Sequence, residues 1–391
     1  MAHPIVQRSQ KPPRIVYDWN RNLYVAALAF DSGVLYFPLC PGVASPGPVK
    51  TIHTELSREV TMVDVSAPDT CEPCFGSDYD EDDTLSTTTA LASEFVDYPY
   101  DYGRRYNAYK EGEYWAPNDD VQQNQMDVAH HMFYDLLDGK LADAPISKDV
   151  REVIDLGTGN GAWAVDFADE YPSANVTGID YSAIQPNNLP SNCNFIIDDV
   201  CDKWCYPPNY FDLVHIRQMY GSVTDWHGLY ASIYRHLRPG GWVDQQEMSV
   251  EFKSDNDSLP CDHPLRRWSR GMLRAGEISG KTFQVADQAW GHLLNAGFVN
   301  TIEKKHKVPV GTWSEDPRMR ALGKLNLEQI KAGIDGWTIM PFMRELRWSY
   351  VDMRHLIRDV LEALEDPNVH LYIEVSSICA QKPMGERSCG K

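Results

Sequence analysis

Basic residues are scarce. Only 36 Lys and Arg stand against 56 Asp and Glu in 391 residues, for a net charge of −20. A chain this acidic lacks the cations needed to displace counterions from nucleic acid, or to bind an anionic membrane surface. Neither partner is expected. Between Arg58 and Arg104 there is no Lys or Arg at all. Twelve acids, Glu59 to Asp101, fall in that interval, so one segment carries more than half of the net charge.

A long apolar run is also missing. The most apolar stretch, residues 23–40, is interrupted by Asp31 and Gly33 and ended by Pro38. A membrane span needs about 20 predominantly apolar residues. The 22 residues ahead of it include Asp18 and do not make a secretory leader. This stretch reads as a strand or two. Cysteine is neither dense nor paired: nine residues, an odd number, lie scattered along the chain. That excludes a disulfide framework and suits a reducing compartment, cytoplasmic or nuclear. Cys71 and Cys74 form a CxxC without a second pair at metal-site spacing, so no metal is expected.

Composition divides the chain. Residues 38–50 are rich in Pro and Gly, and residues 76–93 are acidic and then rich in Ser and Thr. Both lack the apolar content of a packed core. Residues 1–93 therefore read as a variable, largely disordered extension. Residues 94–145 read as a helical lid, with Asn118-Asp119 capping a helix whose apolar positions include Val128, Met132 and Leu136. From 146 to 383, short apolar runs alternate with amphipathic segments. The runs start at 150, 174, 193, 211, 241, 298 and 370. A helix over 226–238 is expected to stop at Pro239-Gly240-Gly241. This alternation predicts a doubly wound α/β fold with a mostly parallel, seven-stranded sheet. Residues 309–368 are a Trp-rich helical insert, and 384–391 a tail.

The first strand runs into Asp155-Leu156-Gly157-Thr158-Gly159-Asn160-Gly161. Glycines let a backbone turn tightly beside a ligand, and a helix N-terminus offers free N–H groups. With Ala162 next, the loop also reads as the GxGxxA of a dinucleotide fold. Three acids favour another ligand. Asp155 precedes the first glycine, Asp180 ends the second strand, and Asp198-Asp199 end the third. Asp155 would repel a pyrophosphate but attract an ammonium; a strand-end carboxylate can bind a ribose diol or an adenine amine. S-adenosylmethionine has an amine, a free diol and an adenine, and no phosphate.

With LRPGGWV at 237–243, these residues resemble the class I S-adenosylmethionine-dependent methyltransferases. Residues 94–119, 178–204 and 220–248 narrow the resemblance to the fungal LaeA-like group, which includes both pathway enzymes and regulators of secondary metabolism. The resemblance implies a Rossmann-like fold, with Gly157, Thr158, Gly159 and Gly161 as the cofactor loop and Asp155 near the methionyl end. It implies Asp180 with Tyr181 at the ribose, and Asp199 and Val200 at the adenine. Tyr106, Tyr114 and Trp115 would be lid contacts. The acceptor is left open between a small molecule and a protein, the latter within a nuclear regulatory complex.

Methyl transfer needs alignment and dryness more than acid–base chemistry, unless the acceptor must first lose a proton. His215 is the expected base in that case, with Arg217, Tyr220 and Glu247 as alternatives. His236 is expected at a helix end, against the dipole.

Overall fold

The computed structural model describes residues 93–256 and 258–384, together with the backbone of three earlier strands. The sheet has seven main strands: β1 (Glu152–Leu156), β2 (Asn175–Asp180), β3 (Cys193–Ile197), β4 (Phe211–Arg217), β5 (Leu237–Met248), β6 (Val299–Pro309) and β7 (Leu371–Gln381). Their spatial order is β3-β2-β1-β4-β5-β7-β6. All are parallel except β7, which pairs antiparallel with β5 and β6.

This order follows from how each run is buried. In β1, Val153 faces one layer of the core while Ile154 and Leu156 face the other. Strands buried on both faces need helices on both sides. On one side, α2 (Ala162–Glu170) lays Trp163 and Phe167 on Val153, Val176 and Leu213. The opposite layer is larger. It collects α1 (Asp120–Leu136), α3 (Trp226–His236), α4 (Pro264–Ser279), α5 (Val285–Asn295), α6 (Pro317–Met340) and α7 (Tyr350–Leu364).

The expected helix cap behaves as read. The Asp119 side chain accepts a hydrogen bond from the Gln122 backbone N–H, satisfying a donor that the first turn leaves free. The Pro-Gly-Gly turn does not. Helix α3 stops at His236, and Pro239–Gly241 form an irregularity inside β5, between Leu237 and Trp242. The strand's pairing with β4 overrides the turn signal.

Ahead of the domain, strands at Arg14–Asp18, Leu23–Phe30 and Gly33–Pro38 extend the sheet beyond β3, the first pairing antiparallel with it. The expected disordered tract at 76–92 and the Cys71–Cys74 pair lie outside the described residues. Among the described residues no helix is long and apolar enough to cross a membrane.

Candidate active site

The strand order reverses at β1, whose neighbours are β2 on one side and β4 on the other. Loops leaving β1 and β4 diverge there and open a crevice at the strands' C-terminal ends. A cleft enclosing about 1090 Å³, including space open to solvent, occupies this crevice. Its floor is the Gly157–Asn160 loop, and its walls include Asp180, Asp199, Val200, Arg217, Met219 and Tyr220. Tyr114, Trp115 and Asn118 ahead of α1 and Trp337 of α6 line it as well.

The loop is held from beneath. Gly157 and Thr158 both donate backbone N–H groups to the Ile179 carbonyl at 2.9 Å. Gly157 has φ +71°, and a Cβ there would stand 2.1 Å from the Met219 sulfur. A side chain at Gly157 would thus fill the cleft floor as well as strain the turn. Gly161 serves packing instead: its φ is +83°, and a Cβ would meet the Phe195 ring at 2.5 Å.

Asp180 is the central carboxylate. One oxygen accepts from the Gly159 N–H at 2.8 Å, the other from the Ser182 N–H at 2.9 Å. Burial still pushes its carboxyl up to about 6, against the pull of those bonds. The Tyr181 backbone adds a third bond, and of the carboxylate's four lone-pair sites this leaves capacity for a further donor. Tyr181 lines the same wall. Asp199 is engaged by Lys110 from the segment ahead of α1, and also accepts from the Cys201 N–H at 2.8 Å.

Three expected contacts lie elsewhere. Asp155 is buried under the loop, where it accepts from the Thr158 hydroxyl at 2.7 Å; it does not line the cleft. It therefore shapes the loop from below. Tyr106 is buried in the core, likewise away from the cleft. His215 is the third correction. Its imidazole is fully buried, stacked on Trp163 with ring centroids 3.8 Å apart and planes 5° apart. Its Nδ1 lies 3.3 Å from Asp244. It stands two residues short of the end of β4, roughly 6–7 Å below the crevice, so it cannot reach an acceptor.

The alternative bases fare no better. Glu247 is buried outside the cleft and accepts from the Met219 and Tyr220 N–H groups and the Gln245 amide. Burial raises it to about 7, but its lone pairs hold the cleft wall in place. Arg217 reaches the cleft as a cation, with no lone pair for a proton. Tyr220 lines it, with a hydroxyl that burial keeps protonated. His236 donates from Nδ1 to the Ser232 carbonyl at 2.7 Å, as a helix-end residue.

Sequence reasoning missed the amides. Gln122 and Gln125 of α1 line the cleft and begin a buried chain of amides running through Gln329 to Asn326 of α6. Glutamines at i and i+3 look like a solvated face until a second helix covers them. The Gln122 carbonyl oxygen is buried in the cleft with no partner among the described residues. An orphan acceptor, a desolvated carboxylate with spare lone pairs and a glycine floor suit a ligand with several hydroxyl and amine donors. A pyrophosphate would bring only acceptors to them.

A family model described as a methyltransferase domain matches residues 128–300. "Methyltransferase pytC" of Aspergillus terreus is 36% identical over 302 residues, 77% of this chain and 93% of that one. The chain belongs to this methyltransferase family. It uses S-adenosylmethionine, and the dinucleotide reading of the loop is set aside. Two regulators are similar as well. "Secondary metabolism regulator LAE1" of Cochliobolus heterostrophus is 31% identical, over 72% of this chain and 94% of that one. "Secondary metabolism regulator laeA" of Aspergillus fumigatus is 32% identical, over 72% and 76%.

The methyltransferase has a second, narrow apolar pocket of about 320 Å³, including space open to solvent, which shares Trp115, Tyr220 and Trp337 with the cleft. Met248, Val250, Phe252, Met272 and Ile330 also line it. Its lining has no carboxylate, imidazole or amine.

Proposed function

We propose that this methyltransferase modifies a small, largely apolar acceptor of secondary metabolism, seated in the pocket behind Trp115, Tyr220 and Trp337. The observation that carries this is the shared wall: an apolar pocket opens directly beside the cofactor cleft. Apolar and aromatic linings select by shape and exclude water. The cofactor supplies an already activated methyl group. The chain's part is then to hold two ligands in line and keep them dry. With no base in the pocket lining, the acceptor brings its own nucleophile: an amine, a thiolate, or an enol or phenol acidic enough to ionise.

We assign Asp180 to the ribose hydroxyls, the Gly157–Gly159 backbone to the floor beneath them, and Asp199 with Val200 to the adenine. Trp115 and Tyr114 cover the cofactor. The assignment of Asp180 has a pH signature. Hydroxyl donors stabilise the ionised carboxylate, so the complex has a lower pKa than the free protein's value of about 6. Affinity therefore rises with pH up to that value and is flat above it. Binding of S-adenosylhomocysteine is expected to be roughly ten-fold weaker at pH 5 than at pH 7. Calorimetry in two buffers of different ionisation enthalpy checks this; a flat profile overturns the assignment.

The acceptor class is tested with isotopically labelled cofactor in a culture extract. A labelled small product, found by mass spectrometry, is the expected result. Label confined to protein would favour the second reading, a regulator of secondary metabolism, which the similarity to LAE1 and laeA supports. Once a product is known, Met272→Phe narrows the apolar pocket without touching the cleft. It is expected to raise KM for the acceptor about ten-fold, the order of one misfit in an apolar site. Cofactor affinity should not change.

A further inference from the structure

We infer that Arg217 is the anchor for the carboxylate of the cofactor's amino-acid end, held in position by His130 and Asp166. Arg217 ends β4 and lines the cleft. Its Nη2 donates to His130 Nδ1 at 3.0 Å, and His130 Nε2 then donates to Asp166 at 2.8 Å. That arrangement requires a neutral imidazole, and burial together with the Arg217 charge keeps His130 neutral, with its pKa down to about 4. The guanidinium also lies over the Phe133 ring, 5.4 Å from its centroid. One of its five donors is thus used, and by a neutral partner.

No carboxylate among the described residues pairs with it directly; Asp155, Asp166 and Asp244 act on it only through space. Burial pulls its pKa down to about 10. A desolvated cation facing a cleft, with its fork unspent, suits a bidentate anion. The sheet indicates which anion. Along the crevice the groups run Arg217 at β4, the glycine loop at β1, Asp180 at β2 and Asp199 at β3. Strands lie about 4.8 Å apart. A cofactor with its ribose at Asp180 and its adenine towards β3 extends its amino-acid end back across β1 to β4. The apolar pocket does not include Arg217, so an acidic acceptor there would not reach it.

S-adenosylmethionine and its decarboxylated form differ only in this carboxylate, and calorimetry on the full-length protein compares them. The unmodified protein is expected to prefer the carboxylate form by at least ~30-fold, as for a charge-assisted pair. In Arg217→Met the preference should collapse to within about three-fold, and Arg217→Lys should keep an intermediate share. His130→Ala should reduce it in part, as a positioning residue. If Arg217→Met weakens both ligands equally, the arginine is structural and the inference fails. If it weakens neither, the carboxylate is held elsewhere, or Arg217 serves the acceptor, and the inference fails again. An unmodified protein that binds neither ligand would overturn the cofactor cleft itself.

Discussion

Replacing Asp180 with alanine is expected to weaken S-adenosylhomocysteine binding by at least ~2 kcal/mol, about 30-fold, while the fold survives. The expectation rests on what the carboxylate does in the free protein. Its two oxygens accept from the Gly159 and Ser182 N–H groups, the Tyr181 backbone adds a third bond, and acceptor capacity remains on a carboxylate that lines the cleft. The variant removes both acceptors assigned above to the ribose. It also leaves the Gly159 N–H without its partner, so the glycine floor loosens. The fold itself stands on apolar layers that Asp180 does not join. Asp180→Asn is the informative companion. An amide offers one acceptor oxygen, and its NH₂ must face one of the two backbone donors. Binding should fall there too, with less disturbance of the loop. Calorimetry measures affinity and a melting curve measures stability. Unchanged affinity in Asp180→Ala would show that the ribose is held by other groups.

Shortening the chain is expected to separate the extension from the cover. A chain starting at residue 94 should fold and bind as the full chain does. It keeps the entire segment that crosses the cleft and every contact that segment makes with the core. A chain starting at residue 120 should bind at least 100-fold more weakly and be destabilised by several kcal/mol. Tyr106, Trp115 and Ala116 pack in the main core, so removing them is more than removing a lid. Loss of a single buried Trp typically costs about 3–5 kcal/mol. The shorter chain also loses the Asp119 helix cap, worth about 1 kcal/mol. Gone as well are the partly buried Arg104 bridges to Asp119 and to Asp335 of α6. Trp115→Ala isolates the contribution of one covering side chain within an otherwise complete chain. If both shortened chains bind as tightly as the full one, residues 103–119 do not cover the cofactor. If the chain from 94 fails to fold, the three early strands are integral to the sheet.

The sequence by itself determined the framework and the ligand chemistry. Seven apolar runs separated by amphipathic segments admit few arrangements other than a parallel, doubly wound sheet, because buried parallel strands must be covered on both faces. Glycines at 157, 159 and 161 with acids at consecutive strand ends were legible because each is a local property of a strand and the loop after it. Direction and depth were not. His215 and Arg217 lie on the same side of β4, two residues apart. Whether such a residue reaches the crevice or packs on Trp163 depends on where α2 lies and where the strand ends, which are facts of packing. Asp155 reads as a ligand group in the motif but is turned under the loop by the Thr158 hydroxyl. Gln122, Gln125 and Met219 carried no signal, since ordinary side chains become a site only when separate elements converge. Tertiary structure alone brought α1, the covering segment and α6 over one reversal in strand order, and so decided which acids meet the cleft and which cation awaits an anion there.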